Sequence, residues 1–396
     1  MGLCPWRWRR IKAIKQRHEI SSQQEASCWL SSHIFAFLVM LFSFTLLPGC
    51  YVVTSAFSFN NLYNSRKPVS EALHDPELSQ VTRSRLKQLD SILKFARANG
   101  LQTAGAYKYY VDLQADKHVT YTVQAVEALR FKAKTWWFPV VGKVPYLGFF
   151  EKAQRDAKAL ELRKQNFDIN KGEAYAFSSL GWFDDPVYSY MLSTSLSSLA
   201  NVVFHELVHR TLWVEDEVLF NEQLATYIAD VLTIQYLQSL SLKNDLDRYF
   251  QKKSDRELFS KWLTALKREL EKLYANKRKE DSDTLLTMKK SIFHKYLGSL
   301  KPRFALIDYV ANNAEEDESS EGGWNNATIM ASNLYSPQES LFAEPFVCVG
   351  GDVTAFMKAL KKALSVQEDP QQALKGLCKL GTQKPSAAEL GKEDEE

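Results

Sequence analysis

Apolar residues recur at two different spacings along the chain, and the change between them divides the sequence. Residues 51–100 carry helix-spaced apolar positions, first in "YVVTSAFSFNNLYNSR" and then in "SEALHDPELSQVTRSRLKQLDSILKFARANG", where Gly100 supplies a stop. From 105 to 150 the texture turns aromatic and β-branched and is broken by Pro and Gly. The segments "YKYYVDL", "VTYTVQAV" and "WWFPVVGKVPYLGFF" there predict short strands and turns. A helix over 151–166 and a strand over 168–179 follow, and the loop "LGWFDDPVYSYML" leads into a strongly helical stretch from Ser195 to Leu240. Residues 241–300 continue as charged amphipathic helices with a solvated face. The acidic run "AEEDESSEGG" at 314–323 reads as a loop, and a last ordered unit extends from "WNNATIMASNLY" through "VTAFMKALKKAL". The tail at 381–396 is too polar to pack and reads as disordered.

Helices dominate this pattern, so the predicted class is α+β, mainly helical, with a small β-sheet and a C-terminal helical region. The chain of 396 residues, 45% hydrophobic and 24% charged, is large enough for a substantial core in one large or two modest domains. The expected segments are a leader at 1–49, a region at 50–240 and a helical region at 241–380 of one unit, and the tail. The net charge is +3, but six of the basic residues and two acids lie in the first 49, which leaves 44 basic against 45 acidic residues. A nearly neutral body gives no electrostatic reason to expect nucleic acid as a partner.

The leader reads as an address. Basic "WRWRRIKAIKQR" is followed by fourteen uncharged residues, "IFAFLVMLFSFTLL", and then by "PGC". Fourteen apolar residues fall short of the roughly 20 that span a bilayer and fit a signal peptide, with an uncleaved anchor as the alternative. Arg9 and Arg10 lie too far upstream of the apolar core to make a strong twin-arginine signal. The run "LLPGC" resembles a bacterial lipobox, which makes Cys50 the lipidated first residue of a mature chain held to a membrane. Tyr51 stands where a retaining aspartate would hold a lipoprotein in the inner membrane, so the expected place is the outer membrane, facing the periplasm. Of the remaining cysteines, Cys348 and Cys378 form an even pair that suits either a disulfide or two free thiols.

The candidate chemistry lies in "VVFHELVHRTL" at 202–212. On a helix, His205 and His209 share one face at a separation suited to one metal ion, and the apolar residues around them place both imidazoles in a dry interior. Glu206 stands beside His205, where a carboxylate takes the proton of water activated by zinc. A catalytic zinc needs a third protein ligand. The class that takes a third histidine six residues on, after a glycine turn, is excluded, because those positions are Glu215 and Leu212. The class that uses a glutamate from a second helix is served by "FNEQLATYIADVL" at 220–232, with Glu222 as ligand and small Ala225 and Ala229 allowing close helix approach. No internal repeat, phosphate-binding glycine loop or nucleophile elbow is present.

Beyond the motif, the blocks "GCYVVTSAFSF", "WWFPVVGKVPYLGFF", "SSLGWFDDPVYSYML", "VVFHELVHRTLW", "FNEQLAT" and "NNATIMASNLY" resemble the predicted zinc aminopeptidases found as bacterial lipoproteins. That resemblance covers most of the mature chain and implies a zincin-like core of the glutamate-ligand (gluzincin) type. His205, His209 and Glu222 would hold one Zn2+ and Glu206 would act as general base. The family often has a glutamate seven residues after the ligand glutamate, where this chain has Ala229, which puts the strength of turnover in question.

Other residues have competing readings. Tyr335 offers a hydroxyl to the oxyanion or packs in the core, and Asn221 orients the site or simply starts a helix. Asp184 and Asp185 form a turn before Pro186, or one of them recognises a substrate's α-amine. His118 and His294 lack neighbouring ligand patterns. The expected function is zinc-dependent hydrolysis of peptides by an aminopeptidase; the rivals are an envelope endopeptidase and a non-catalytic envelope-binding lipoprotein.

Overall fold

The computed structural model describes residues 60–113, 118–138, 141–174, 184–275, 281–299, 323–334 and 339–381. The leader, Cys50, Tyr335, the acidic loop up to Gly322 and the tail beyond Gly381 lie outside the described residues. The chain divides into two units, Met1–Tyr63 and Asn64–Glu396. In the first, residues 60–63 are described and are helical.

Among the described residues, the second unit is mainly helical with three small sheets. Its strands are β1 (Lys67–Pro68), β2 (Tyr109–Val111), β3 (Thr120–Glu127), β4 (Trp136–Phe138), β5 (Gly142–Val144), β6 (Leu147–Phe149), β7 (Phe167–Ala174) and β8 (Val187–Tyr188). The longer helices begin with α1 (Gln80–Ala98), α2 (Lys152–Arg163), α3 (Leu196–Thr211), α4 (Val218–Ser239) and α5 (Lys243–Ala275). They continue with α6 (Ser282–Leu297), α7 (Asn326–Leu334), α8 (Glu339–Cys348), α9 (Val353–Leu364) and α10 (Pro370–Gly381). The sheets run in the order β1-β2-β8, β6-β3-β7 and β4-β5, and only the β2 with β8 pairing is parallel among the described strands.

The helical reading of 51–100 needs one correction. Pro68 fixes its own φ and has no N–H to donate, so the chain there becomes the short strand β1 against β2, and α1 starts only where Ser79 accepts a hydrogen bond from the Thr82 N–H at 3.1 Å. In the middle sheet β3 is buried along nearly its whole length, with Thr122 and Glu127 alone left partly open. Alternation is lost because helices cover the sheet: α2 and α7 both pack on β3 and β7.

The helical core forms where α1, α3 and α4 meet. Phe95, Phe204 and Tyr236, one from each helix, lie with ring centroids 5.3 to 6.1 Å apart, and the Tyr236 hydroxyl is 2.5 Å from Ser91 Oγ. Downstream, Cys348 and Cys378 form a disulfide joining α8 to α10, so of the two readings of that pair the bonded one holds. Phe342 of α8 stacks on Tyr227 of α4 at 5.4 Å, which ties this C-terminal trio to α4.

A buried polar knot joins the sheet to the remaining helices. Lys289 of α6 donates to Asp168 and to the Ala128 carbonyl, Asp168 accepts from the Asn326 N–H at 2.8 Å, and Asn326 accepts from the Tyr274 hydroxyl at 2.7 Å. Removing one member of a buried pair leaves the other charge uncompensated, so Lys289→Met is expected to lower unfolding stability by about 3 kcal/mol. Urea denaturation checks this; a loss under about 1 kcal/mol would mean that the pair is solvated after all.

Candidate metal centre

Helix α3 begins at Ser195, whose hydroxyl accepts from the Ser198 N–H at 3.2 Å, and it buries Leu199, Val203, Phe204, Leu207 and Val208. That burial fixes its rotation about its own axis and turns His205 and His209 toward α4. Glu222 stands in the second turn of α4, and Ala225 and Ala229 beyond it are fully buried with no side chain to hold the helices apart.

The three predicted ligands converge. His205 Nε2 lies 3.1 Å from Glu222 Oε2 and 3.1 Å from His209 Nε2, and His209 Nε2 lies 3.6 Å from Glu222 Oε2. Metal bonds of about 2.0–2.1 Å at tetrahedral angles would place donor atoms about 3.3 Å apart, so this donor set fits one small metal ion. Among the described residues this is the His, Cys, Asp and Glu group whose donor atoms converge in that way. Two imidazole nitrogens and a carboxylate oxygen suit zinc or a similar transition metal better than Mg2+ or Ca2+.

Side-chain contacts hold the connection between the helices. The Trp213 and His209 rings meet edge to face with centroids 5.4 Å apart, and the Asn221 amide bridges both backbone groups of Val214, at 2.9 and 2.7 Å. Asn221 thus anchors the connecting loop. Asp216, at φ +63°, accepts from the Lys143 N–H at 2.6 Å and so pins the β4–β5 hairpin to that loop. Gly142 is needed there because a Cβ would meet Asp216 Oδ1 at 2.4 Å.

Asp185 is buried and paired with Arg210 at 3.4 Å, and its carbonyl accepts from the Tyr107 N–H at 2.7 Å. Its charge is therefore already matched. Asp184 is half-buried, and its carboxylate occupies space that only a glycine at 105 leaves open, since a Cβ there would lie 2.2 Å from Asp184 Oδ1. His118 pairs with Glu173 at 2.8 Å, and His294 is exposed on α6.

Glu206 faces opposing influences. Burial raises its carboxyl pKa, the imidazoles of His205 and His209 lower it, and Glu222 and Asp185 raise it again, with a net upward shift. Three phenols that sequence reasoning did not single out share this field. Burial, reinforced by the Glu206 charge and by Asp185 or Glu222, raises Tyr107, Tyr146 and Tyr188 and keeps them protonated as donors. Tyr107 reaches this place with φ +56°, a left-handed conformation costly for a bulky residue. Tyr146 is partly exposed and packs beside Trp213. No spacing rule could have found these tyrosines; they come from three separate segments.

In the metal-free protein the titrations of the site define a stability window. Burial works against ionised Glu222, but the His209 charge and the hydrogen bonds from His205 and His209 overcome it, so its pKa falls well below the ordinary 4.5. The stability it contributes is present above pH 4.5 and is lost as pH falls through the lowered value. Burial lowers His209, but Glu222 outweighs burial and raises it above 6.5, so its contribution is complete below pH 6.5 and is lost as pH rises through the raised value. Chelator-treated protein should therefore melt at a higher temperature near pH ~5.5 than near pH ~8. Thermal unfolding at the two pH values checks this, and the reverse order contradicts it.

Comparison with known proteins places the chain. A family model described as "Putative aminopeptidase" matches residues 50–374, which include α3, α4 and all three convergent donors. No curated protein and no solved structure matches the chain. Because the match spans most of the sequence, the chain belongs to the putative aminopeptidase family.

Proposed function

We propose that the protein is a zinc-dependent aminopeptidase with a zincin-like core of the glutamate-ligand type. The observation that carries this reading is the convergence of His205, His209 and Glu222 at 3.1 to 3.6 Å, with Glu206 on the adjoining face of α3. His205 and His209 would hold the ion through Nε2 and Glu222 through Oε2. A zinc ion held there would supply polarisation of the substrate carbonyl and a water whose pKa is brought to about 7. Glu206 accepts the proton of the attacking water as its oxygen bonds to the carbonyl carbon, then delivers that proton to the amine nitrogen as the C–N bond breaks. Tyr146, partly exposed and protonated, is better placed than buried Tyr107 and Tyr188 to donate to the developing oxyanion. Of the two aspartates considered for the substrate's α-amine, Asp184 is the better candidate, because it is half-buried whereas Asp185 is buried and paired with Arg210.

The same reading makes the protein a lipoprotein of the bacterial envelope. Cys50 carries the lipid, and the catalytic unit faces the periplasm from the outer membrane. The support is the order of basic stretch, apolar run and "LLPGC".

Purified protein is expected to hold about one equivalent of zinc, which His205→Ala should lose. Glu206→Gln should keep the metal and lower hydrolysis of unblocked peptides about 10²- to 10⁴-fold. N-acetylated peptides should be nearly inert; equal cleavage of blocked and free peptides would turn the reading to an endopeptidase. A wild-type protein with less than about a tenth of an equivalent of zinc would remove the metal centre altogether. Separately, Cys50→Ser should move the protein from the membrane fraction to the soluble fraction, and continued membrane association would refute the lipid anchor.

A further inference from the structure

The polar stripe that holds the candidate metal ligands continues deeper between the helices. On α3, Asn201 lies four residues before His205 and eight before His209; on α4, Asp230 lies eight residues after Glu222. Positions four apart share a helix face, so both helices carry a second polar level on the side that bears the ligands. At that level Asn201 Nδ2 donates to Asp230 Oδ1 at 3.2 Å and reaches Thr233 Oγ1 at 3.4 Å. Asp230 is buried and accepts further bonds from α5: the Tyr249 hydroxyl at 2.5 Å, and Arg256 Nη2 at 3.0 Å to Oδ1 and 3.2 Å to Oδ2. Tyr249 OH also receives a bond from Asn201 Nδ2 at 2.8 Å.

We propose that Asp230 is a positioning residue for the metal centre, tying α3 to α4 and both to α5 so that the three donor atoms keep their separations. The inference rests on the zinc reading above. Between the two polar levels the facing α4 residues Ala225 and Ala229 are small and fully buried, so no bulky side chain fixes the distance between the helices there. Polar ties above and below fix it together with the Phe204–Tyr236 contact farther along the helices. The upper tie is the ligand set itself, and a metal tolerates errors of only about 0.2 Å in its bond lengths. The lower tie is the polar element outside the ligand set that joins α3 to α4 and helps to hold the ligands in register before a metal arrives. A buried carboxylate that served packing alone would be a costly choice, since an apolar side chain fills the same space without desolvating a charge.

The test uses the whole mature protein and two probes, zinc in competition with a chromophoric chelator and cobalt read by its visible absorption. Asp230→Asn keeps the shape but removes the charge that Arg256 and Tyr249 hold; Asn201→Ala cuts the link between α3 and α4 while leaving Asp230 paired with α5. Each is expected to weaken zinc binding about tenfold and to shift the cobalt spectrum. Lys289→Met, in the polar knot on the sheet, is the control for lost stability alone and should leave both readouts unchanged. If Asp230→Asn does not fold, Asn201→Ala carries the test. Zinc affinity and cobalt spectrum unchanged in the folded variants, or weakened equally by Lys289→Met, overturn the positioning role while the metal centre stands. Failure of the wild type to bind either metal overturns both.

Discussion

The candidate site depends on the close approach of α3 and α4. Two imidazoles and a carboxylate face each other there in a buried interior, where an unpaired polar group is costly. Their mutual contacts at 3.1 to 3.6 Å offset that cost in the absence of a metal, and they leave the donors already convergent. Preformed convergence matters because ordering a site at the moment of binding consumes affinity. Small Ala225 and Ala229 make the approach possible, and the aromatic meeting of Phe95, Phe204 and Tyr236 braces it from α1.

The surroundings of the site are organised by charge. Asp185, Glu206 and Glu222 bring three carboxylates near one another; Arg210 takes the first, the histidines take the last, and Glu206 keeps the least compensation. A carboxylate left in that position gains affinity for protons. The segment from Gly105 to Tyr107 takes up left-handed conformations at both ends, and the bonds from Arg210 to the Ala104 carbonyl and from Tyr107 to the Asp185 carbonyl hold it there. Strain maintained beside a charged centre by surrounding contacts is more common at functional sites than in plain scaffold.

Much of this could be read from residue spacing. The i to i+4 separation of His205 and His209, the glutamate at 222 and the two alanines following it share one periodicity, that of the helix, and periodicity survives without tertiary information. The aromatic and β-branched texture of 105–150 likewise gave strands, because those side chains suit a pleated sheet whatever covers it. Other features depend on which segments meet. Pro68 diverted a helical pattern into β1 only because β2 lay alongside to pair with it, and the pairing of Cys348 with Cys378 followed from the packing of α8 on α10. Asn221, read as a helix start or a site residue, has its amide taken by Val214 of the connecting loop.

The sequence by itself determined the helices, the residues on their ligand-bearing faces and the donor types, since each follows from local spacing and side-chain chemistry. Only the tertiary structure decided that α3 and α4 lie close enough for those faces to share one point. It also decided that Tyr107, Tyr146 and Tyr188 lie within the field of the Glu206 charge, that Asp185 pairs with Arg210, and that Asp230 reaches back to Asn201. The physical reason is range. Helix periodicity is set by neighbours within a turn or two, whereas the field at a buried carboxylate sums over every segment that packs against it, however distant in the chain.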